Sequence, residues 1–246
     1  MNKLVVFQHL EIEGPGIFSE IARERGFEVE IFRVDLEENL PVIENGDIIL
    51  ILGGPMGIRD ISNNKFPWLE KEVEFIKSIL IKDIGIIGIC LGAQLLAFAS
   101  GGDVEILKSG IPLKPRAEIG WAEISSKNIF SEDQISIMLE KPMQVLHWHA
   151  DRILLPKNAE LIASSKLCRE QLFKIRDKAY GLQFHIESDE KMINKWIDYY
   201  KDFIYAALGD EGQNLLREEE KKMELITRNS RVDLINLLFD LTMKNS

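Results

Sequence analysis

The stretch from Ile84 to Ser100 constrains the fold most. A continuous aliphatic run, broken only by glycine, passes through a single cysteine, Cys90, into a segment of small and long-chain residues suited to a helix. A strand that is apolar at every position must be covered on both faces, which is the situation of a parallel strand inside an α/β sheet. Residues 48–52 repeat that signal and stop abruptly at Gly53-Gly54-Pro55. Residues 4–7 and 28–34 read as two further strands, with helices expected over 17–25 and 68–82. Strands alternating with amphipathic segments predict βαβ units around a mostly parallel sheet. From 104 to 180 the pattern changes to short alternating runs, at 122–125, 144–147 and 172–175, expected to add antiparallel strands at the sheet edge. Residues 181–185 return as a core strand, and 190–208 read as one long helix. After Gly209 a charged patch, Glu218 to Lys222, precedes a stretch at 232–243 with enough apolar residues for a helix that either packs on its own chain or pairs with a second copy. The expected organisation is therefore a main domain over 1–205 and a helical extension over 206–246.

The balance of charges narrows the function classes. The chain carries a formal net charge of -10 over 246 residues, with acidic and basic residues interspersed, so a phosphate-tracking groove and a nucleic-acid partner are not expected. Its apolar runs are too short and too rich in glycine to cross a bilayer, and its first residues enter a strand directly, which reads as a cytoplasmic protein. Two cysteines, Cys90 and Cys168, are too few for a disulfide framework or a zinc cluster. Among the four histidines only His147 and His149 show a paired spacing, which a plain strand face also gives. There is no dinucleotide fingerprint and no phosphate loop, so neither a cofactor nor a metal is expected.

Cys90 stands where chemistry is commonly placed: after a buried strand, at the start of a helix, on the carboxyl edge of the sheet. Helix N-termini present unpaired backbone N–H groups and partial positive charge, a setting that suits a nucleophilic sulfur. Gly88 and Gly92 flank it where a strained turn and close packing would otherwise clash. Taken alone, a buried structural cysteine is the commoner case. His185 adds to the functional reading because it ends a strand able to lie beside that of Cys90, and Glu187, two residues on, would project to the same side and orient the imidazole. Gly53-Gly54-Pro55 could aim a backbone N–H into the same cleft, with the Leu91 amide as second donor of an oxyanion hole.

In that order, the Gly-Gly-Pro turn at 53–55, Gly-Ile-Cys-Leu-Gly-Ala-Gln at 88–94 and Gly-Leu-Gln-Phe-His-Ile-Glu at 181–187 resemble the class I glutamine amidotransferases, and in particular stand-alone proteins related to the glutaminase domain of GMP synthase. His147 to Asp151 and Glu118 to Trp121 extend the resemblance, which covers residues 1–205. It implies a flavodoxin-like α/β fold in which Cys90 attacks the glutamine side-chain amide, His185 shuttles protons and Glu187 orients it. It places the oxyanion N–H groups at Gly54 and Leu91, a glutamine contact at Gln94, and the loop facing the substrate's α-amino end at Trp148 and Ala150. It gives His149 a counterpart and leaves His9 and His147 without a role. Two departures stand out: Ile186 occupies a position usually held by proline, and Ala150 one usually held by glycine.

The resemblance implies glutamate and ammonia as products. Nothing after residue 205 resembles a synthetase that would consume the ammonia, so either a separate synthetase subunit docks over the cleft or the protein acts alone. A γ-glutamyl peptidase would use the same triad on a peptide or conjugate bond. A silent binding protein and a redox protein with a cysteine elbow are further readings, against which the complete set of Cys90, His185 and Glu187 argues.

Overall fold

The computed structural model describes residues 1–36, 39–82, 84–126 and 133–244. The chain runs through β1 (Lys3–Gln8), α1 (Gly16–Glu24), β2 (Glu28–Arg33), β3 (Ile48–Ile51), α2 (Trp68–Leu80), β4 (Gly85–Ile89), α3 (Leu91–Ala99), β5 (Asp103–Ile106), β6 (Lys108–Ser109), β7 (Lys114–Pro115), β8 (Glu118–Ser126), α4 (Gln134–Met138), β9 (Met143–His149), β10 (Asp151–Leu154), β11 (Ala159–Ser164), β12 (Leu172–Ile175), β13 (Ala179–Leu182), α5 (Glu190–Tyr199), α6 (Lys201–Leu208) and α7 (Gly212–Met243). Nine strands form one sheet in the order β2-β1-β3-β4-β13-β12-β11-β8-β9. The five from β2 to β13 are parallel, and the rest add on in antiparallel fashion. This is the expected flavodoxin-like arrangement with an antiparallel edge.

The continuous aliphatic runs are buried because helices cover the parallel half on both sides. Leu4, Val6, Leu50, Ile87 and Ile89 pack against Phe18 and α7 on one face, and Val5, Phe7, Ile49, Ile51 and Ile86 against α2 and α3 on the other. At roughly 25 cal/mol per Å² of apolar surface removed from water, burial in these two layers favours folding strongly.

Three expectations are corrected. The strand predicted over 181–185 ends at Leu182; beyond it the Gln183 N–H donates to the Gln171 carbonyl and the His185 N–H to the Leu146 carbonyl, so the chain leaves β4 and crosses toward β9. The helix predicted over 190–208 is two helices, interrupted at Tyr200, whose backbone leaves helical geometry at φ −96°, ψ 34° while its hydroxyl donates to Glu13. The final helix is far longer than its apolar part: α7 runs 32 residues, straight through the charged patch. Its Leu234, Ile235, Leu238 and Phe239 are fully buried in the same cluster as β1 and β4.

Candidate active site

Cys90 sits immediately beyond β4 as the residue before α3, at φ 51°, ψ −105°, a left-handed conformation rare for a residue with a side chain. The strain follows from the fit around it. A Cβ on Gly88 would lie 2.5 Å from the Gly92 carbonyl, and one on Gly92 would lie 2.1 Å from the Ile51 carbonyl, so both glycines are required by close backbone approach. The elbow is tied down by the Cys90 N–H, which donates to the Leu182 carbonyl at 2.8 Å. The thiol points to the Trp148 carbonyl, 3.8 Å away, with the Gln183 amide nitrogen 3.7 Å from the sulfur.

On one side of this strand, β13 delivers His185. Its Nδ1 lies 2.6 Å from Glu187 Oε1, and since a carboxylate accepts, Nδ1 carries the proton and Nε2 is left for the cleft. Nε2 has no hydrogen-bond partner among the described residues. Burial works against the imidazolium, but the charge of Glu187 and the neighbouring Cys90 sulfur carry the His185 pKa well above the ordinary value. Glu187 is itself held: its Oε2 accepts from the Ile186 N–H at 2.9 Å, its carbonyl accepts from the Ile17 N–H at 2.9 Å, and the next carbonyl, Ser188, accepts from buried Arg231 of α7 at 2.6 Å. Gly16 has φ 42°, and a Cβ there would collide with the Glu187 carbonyl at 1.9 Å, so glycine alone lets α1 begin against this loop.

On the other side, β3 leads into Gly53 and Gly54. A Cβ on Gly53 would come within 3.3 Å of His185 Cε1 and 3.7 Å of Cys90 Cβ, which places this turn against both side chains. A cavity of about 310 Å³ opens here. Of the sequence-predicted residues, Gly54, Cys90, Leu91, Gln94, Trp148, Ala150 and His185 line it, while Glu187 stands behind His185. Gln94 donates to Gln183 Oε1 at 3.3 Å, beneath the cysteine. Trp148 packs edge-on to Trp196, and Trp196 edge-on to His185 at 4.9 Å, which forms an aromatic wall.

Sequence reasoning missed Glu13 and Tyr200, which face one another in the cavity through a Tyr200 O–H···Oε1 bond. Burial raises the Glu13 pKa, opposed by that hydroxyl and by His185. An acid in a Gly-Pro-Gly loop at the carboxyl end of a strand was a usable signal for Glu13; nothing local marks Tyr200. Glu118, His147 and His149 have donor atoms within 4.8 Å of one another, and His149 itself lines the cavity. Glu118 is already engaged there by Ser165 and Gln171, both at 2.6 Å, and lies 3.1 Å from His149 Nε2, so the group cross-links β8 to β9. His147 is pushed down to about 4, chiefly by burial, and is neutral at neutral pH. Cys168, with its thiol pushed up to about 12 by burial, is a packed structural residue.

The family model of class I glutamine amidotransferases matches residues 18–200. The chain belongs to that family. A crystal structure of a glutamine amidotransferase from Thermotoga maritima superposes with a TM-score of 0.83 at 29% identity and covers 99% of each chain. A glutamine-hydrolyzing GMP synthase subunit of Methanobrevibacter smithii is 35% identical over 56% of this chain and 63% of its own length. Gamma-glutamyl peptidase 4 of Arabidopsis thaliana is 28% identical over 53% of this chain and 51% of its own. The chain thus shares its whole fold with a solved relative, and about half of its length with each of two curated proteins of different named activity. No helix among its described residues is long and apolar enough to cross a membrane.

Proposed function

We propose that this member of the family hydrolyses the side-chain amide of glutamine, with Cys90 as nucleophile, His185 as proton shuttle and Glu187 as the group that orients it. The observation that carries the reading is the polarity of His185: Nδ1 is fixed by Glu187 at 2.6 Å while Nε2 is unpaired toward the only thiol in the cavity among the described residues. The sulfur attacks the amide carbon, the oxyanion is received by the backbone N–H groups of Gly54 and Leu91, and His185 gives its proton to the departing ammonia. Water, deprotonated by His185, then cleaves the thioester and releases glutamate. Leu91 is the first residue of α3, so its N–H has no partner within the helix. Gln94, Trp148 and Ala150 hold the substrate. The ammonia passes to a separate synthetase partner, a reading supported by the likeness to a GMP synthase that is itself divided into subunits, and the protein works in the cytoplasm.

A second reading, cleavage of a γ-glutamyl peptide or conjugate, draws on the aromatic wall of Trp148, Trp196, Tyr200 and Phe203, which offers apolar surface to a leaving group larger than ammonia. Glutamate release from glutamine and from a panel of γ-glutamyl peptides, measured beside Cys90→Ala, separates the two. Turnover of glutamine by the wild type alone supports the amidotransferase reading; turnover of peptides alone makes it a peptidase; no turnover of either by the wild type sinks both.

A further inference from the structure

The Gly53–Gly54 peptide poses a problem of its own. Both positions are tight: a Cβ on Gly53 would press on Glu13 Oε2 at 2.6 Å and come within 3.3 Å of His185 Cε1, and one on Gly54 would meet Leu91 Cδ2 at 3.0 Å and His9 Cβ at 3.1 Å. Close approach therefore places two glycines in succession, and the peptide between them is the kind that rotates most freely. In one orientation its N–H faces the cleft and in the other its carbonyl does, which would repel an oxyanion.

His9, the residue after β1, meets this carbonyl directly: its Nδ1 lies 3.0 Å from the Gly53 oxygen. Its Nε2 lies 3.1 Å from both carboxylate oxygens of Glu72, and both side chains have no exposed surface. Glu72 is a carboxylate on the buried stripe of α2, beside Leu69, Val73 and Ile76, and Trp68 stacks on the imidazole at 5.4 Å. Both partners of the ring are acceptors, so both nitrogens carry protons when Glu72 is ionised. Burial disfavours that charged ring, but Glu72 outweighs it and the His9 pKa is raised. A trans peptide is planar, with C=O and N–H pointing opposite ways. A carbonyl held toward His9 therefore turns the Gly54 N–H away from His9.

We infer that the buried His9–Glu72 pair is a positioning device for the oxyanion hole: it clamps the Gly53 carbonyl and so keeps the Gly54 N–H aimed at the reacting carbonyl. The inference rests on Gly54 being an oxyanion donor. The clamp also polarises the peptide, since a carbonyl accepting from a charged donor leaves its own N–H a stronger donor.

The test uses the full chain with His9→Leu, which keeps bulk but no donor, His9→Asn, which keeps a donor near Nδ1, and Glu72→Gln. With whichever γ-glutamyl substrate the wild type turns over, His9→Leu is expected to lower kcat on the order of a hundredfold with KM nearly unchanged, as for loss of one oxyanion donor. His9→Asn restores most of that rate, and Glu72→Gln costs about tenfold. Alkylation of Cys90 by iodoacetamide, which forms no oxyanion, stays at the wild-type rate in all three. Equal losses in alkylation and hydrolysis, or wild-type kcat in His9→Leu, overturn the clamp. If His9→Leu does not fold, wild-type kcat in Glu72→Gln overturns it instead. A crystal structure of a folded His9 variant reads the peptide without any assay: a rotated Gly53 carbonyl supports the clamp in His9→Leu, and an unmoved one overturns it. That outcome stays separate from an activity reading that fails because the wild type cleaves nothing.

Discussion

The two banks of the nucleophile strand each hold a buried histidine–glutamate pair, and they differ in one unpartnered ring nitrogen. On the β13 bank, Glu187 holds Nδ1 of His185 and leaves Nε2 unpaired. On the β3 bank, His9 has both nitrogens engaged, one by Glu72 and one by the Gly53 carbonyl. A ring with a free nitrogen beside a thiol can move protons; a ring tied at both ends can only hold something still. Composition is the same on both banks, and the number of open valences separates chemistry from scaffolding.

That contrast can be tested from its strongest side downward. Cys90→Ala removes what both banks serve, and glutamate release should fall by a factor of about 10⁴ or more, with the fold intact by circular dichroism. Glu187→Gln should cost on the order of a thousandfold in kcat, because the amide can donate to Nδ1 and stabilise the wrong tautomer. A loss no larger than that of Glu72→Gln would erase the distinction between the banks. A third ring, His147, sharpens it from the stability side. Its folded pKa of about 4 lies below the unfolded 6.5, so the unfolded chain takes up a proton first and stability falls as pH drops from 6.5 toward 4. The full effect is about 3 kcal/mol, and His147→Asn should flatten that part of the urea-midpoint profile. The smallest effect is expected from Ile186→Pro, which restores the residue usual at this position but deletes the N–H that holds Glu187 Oε2. A kcat decrease of about tenfold, measured under saturation, fits the loss of one charge-assisted bond.

The first half of the fold was legible because strands buried on both faces are uniformly aliphatic, so β1, β3, β4 and the helices between them fall within a residue or two of their expected limits. The charged run obscured how far the helix of the expected extension continues, because only one side of it is buried: Leu216, Glu220, Met223 and Thr227 face inward while Glu218, Lys221 and Lys222 face water. The break at Tyr200 was hidden for another reason, since the Glu13 that receives its hydroxyl is 187 residues away. The site divides along the same line. Cys90, His185 and Glu187 sit in short motifs at strand ends and could be named from them. His9 and Glu72 could not be paired, because 63 residues and an ordinary-looking helical stripe separate them.

Arg231 binds the chain's last helix to the carbonyl that follows Glu187. Translation adds an order of events to that contact: the elbow with its thiol is made long before α7, and the acid behind the imidazole gains this support only once α7 has been made and packed. A growing chain therefore makes the cysteine elbow and the loop behind His185 before the arginine that braces that loop.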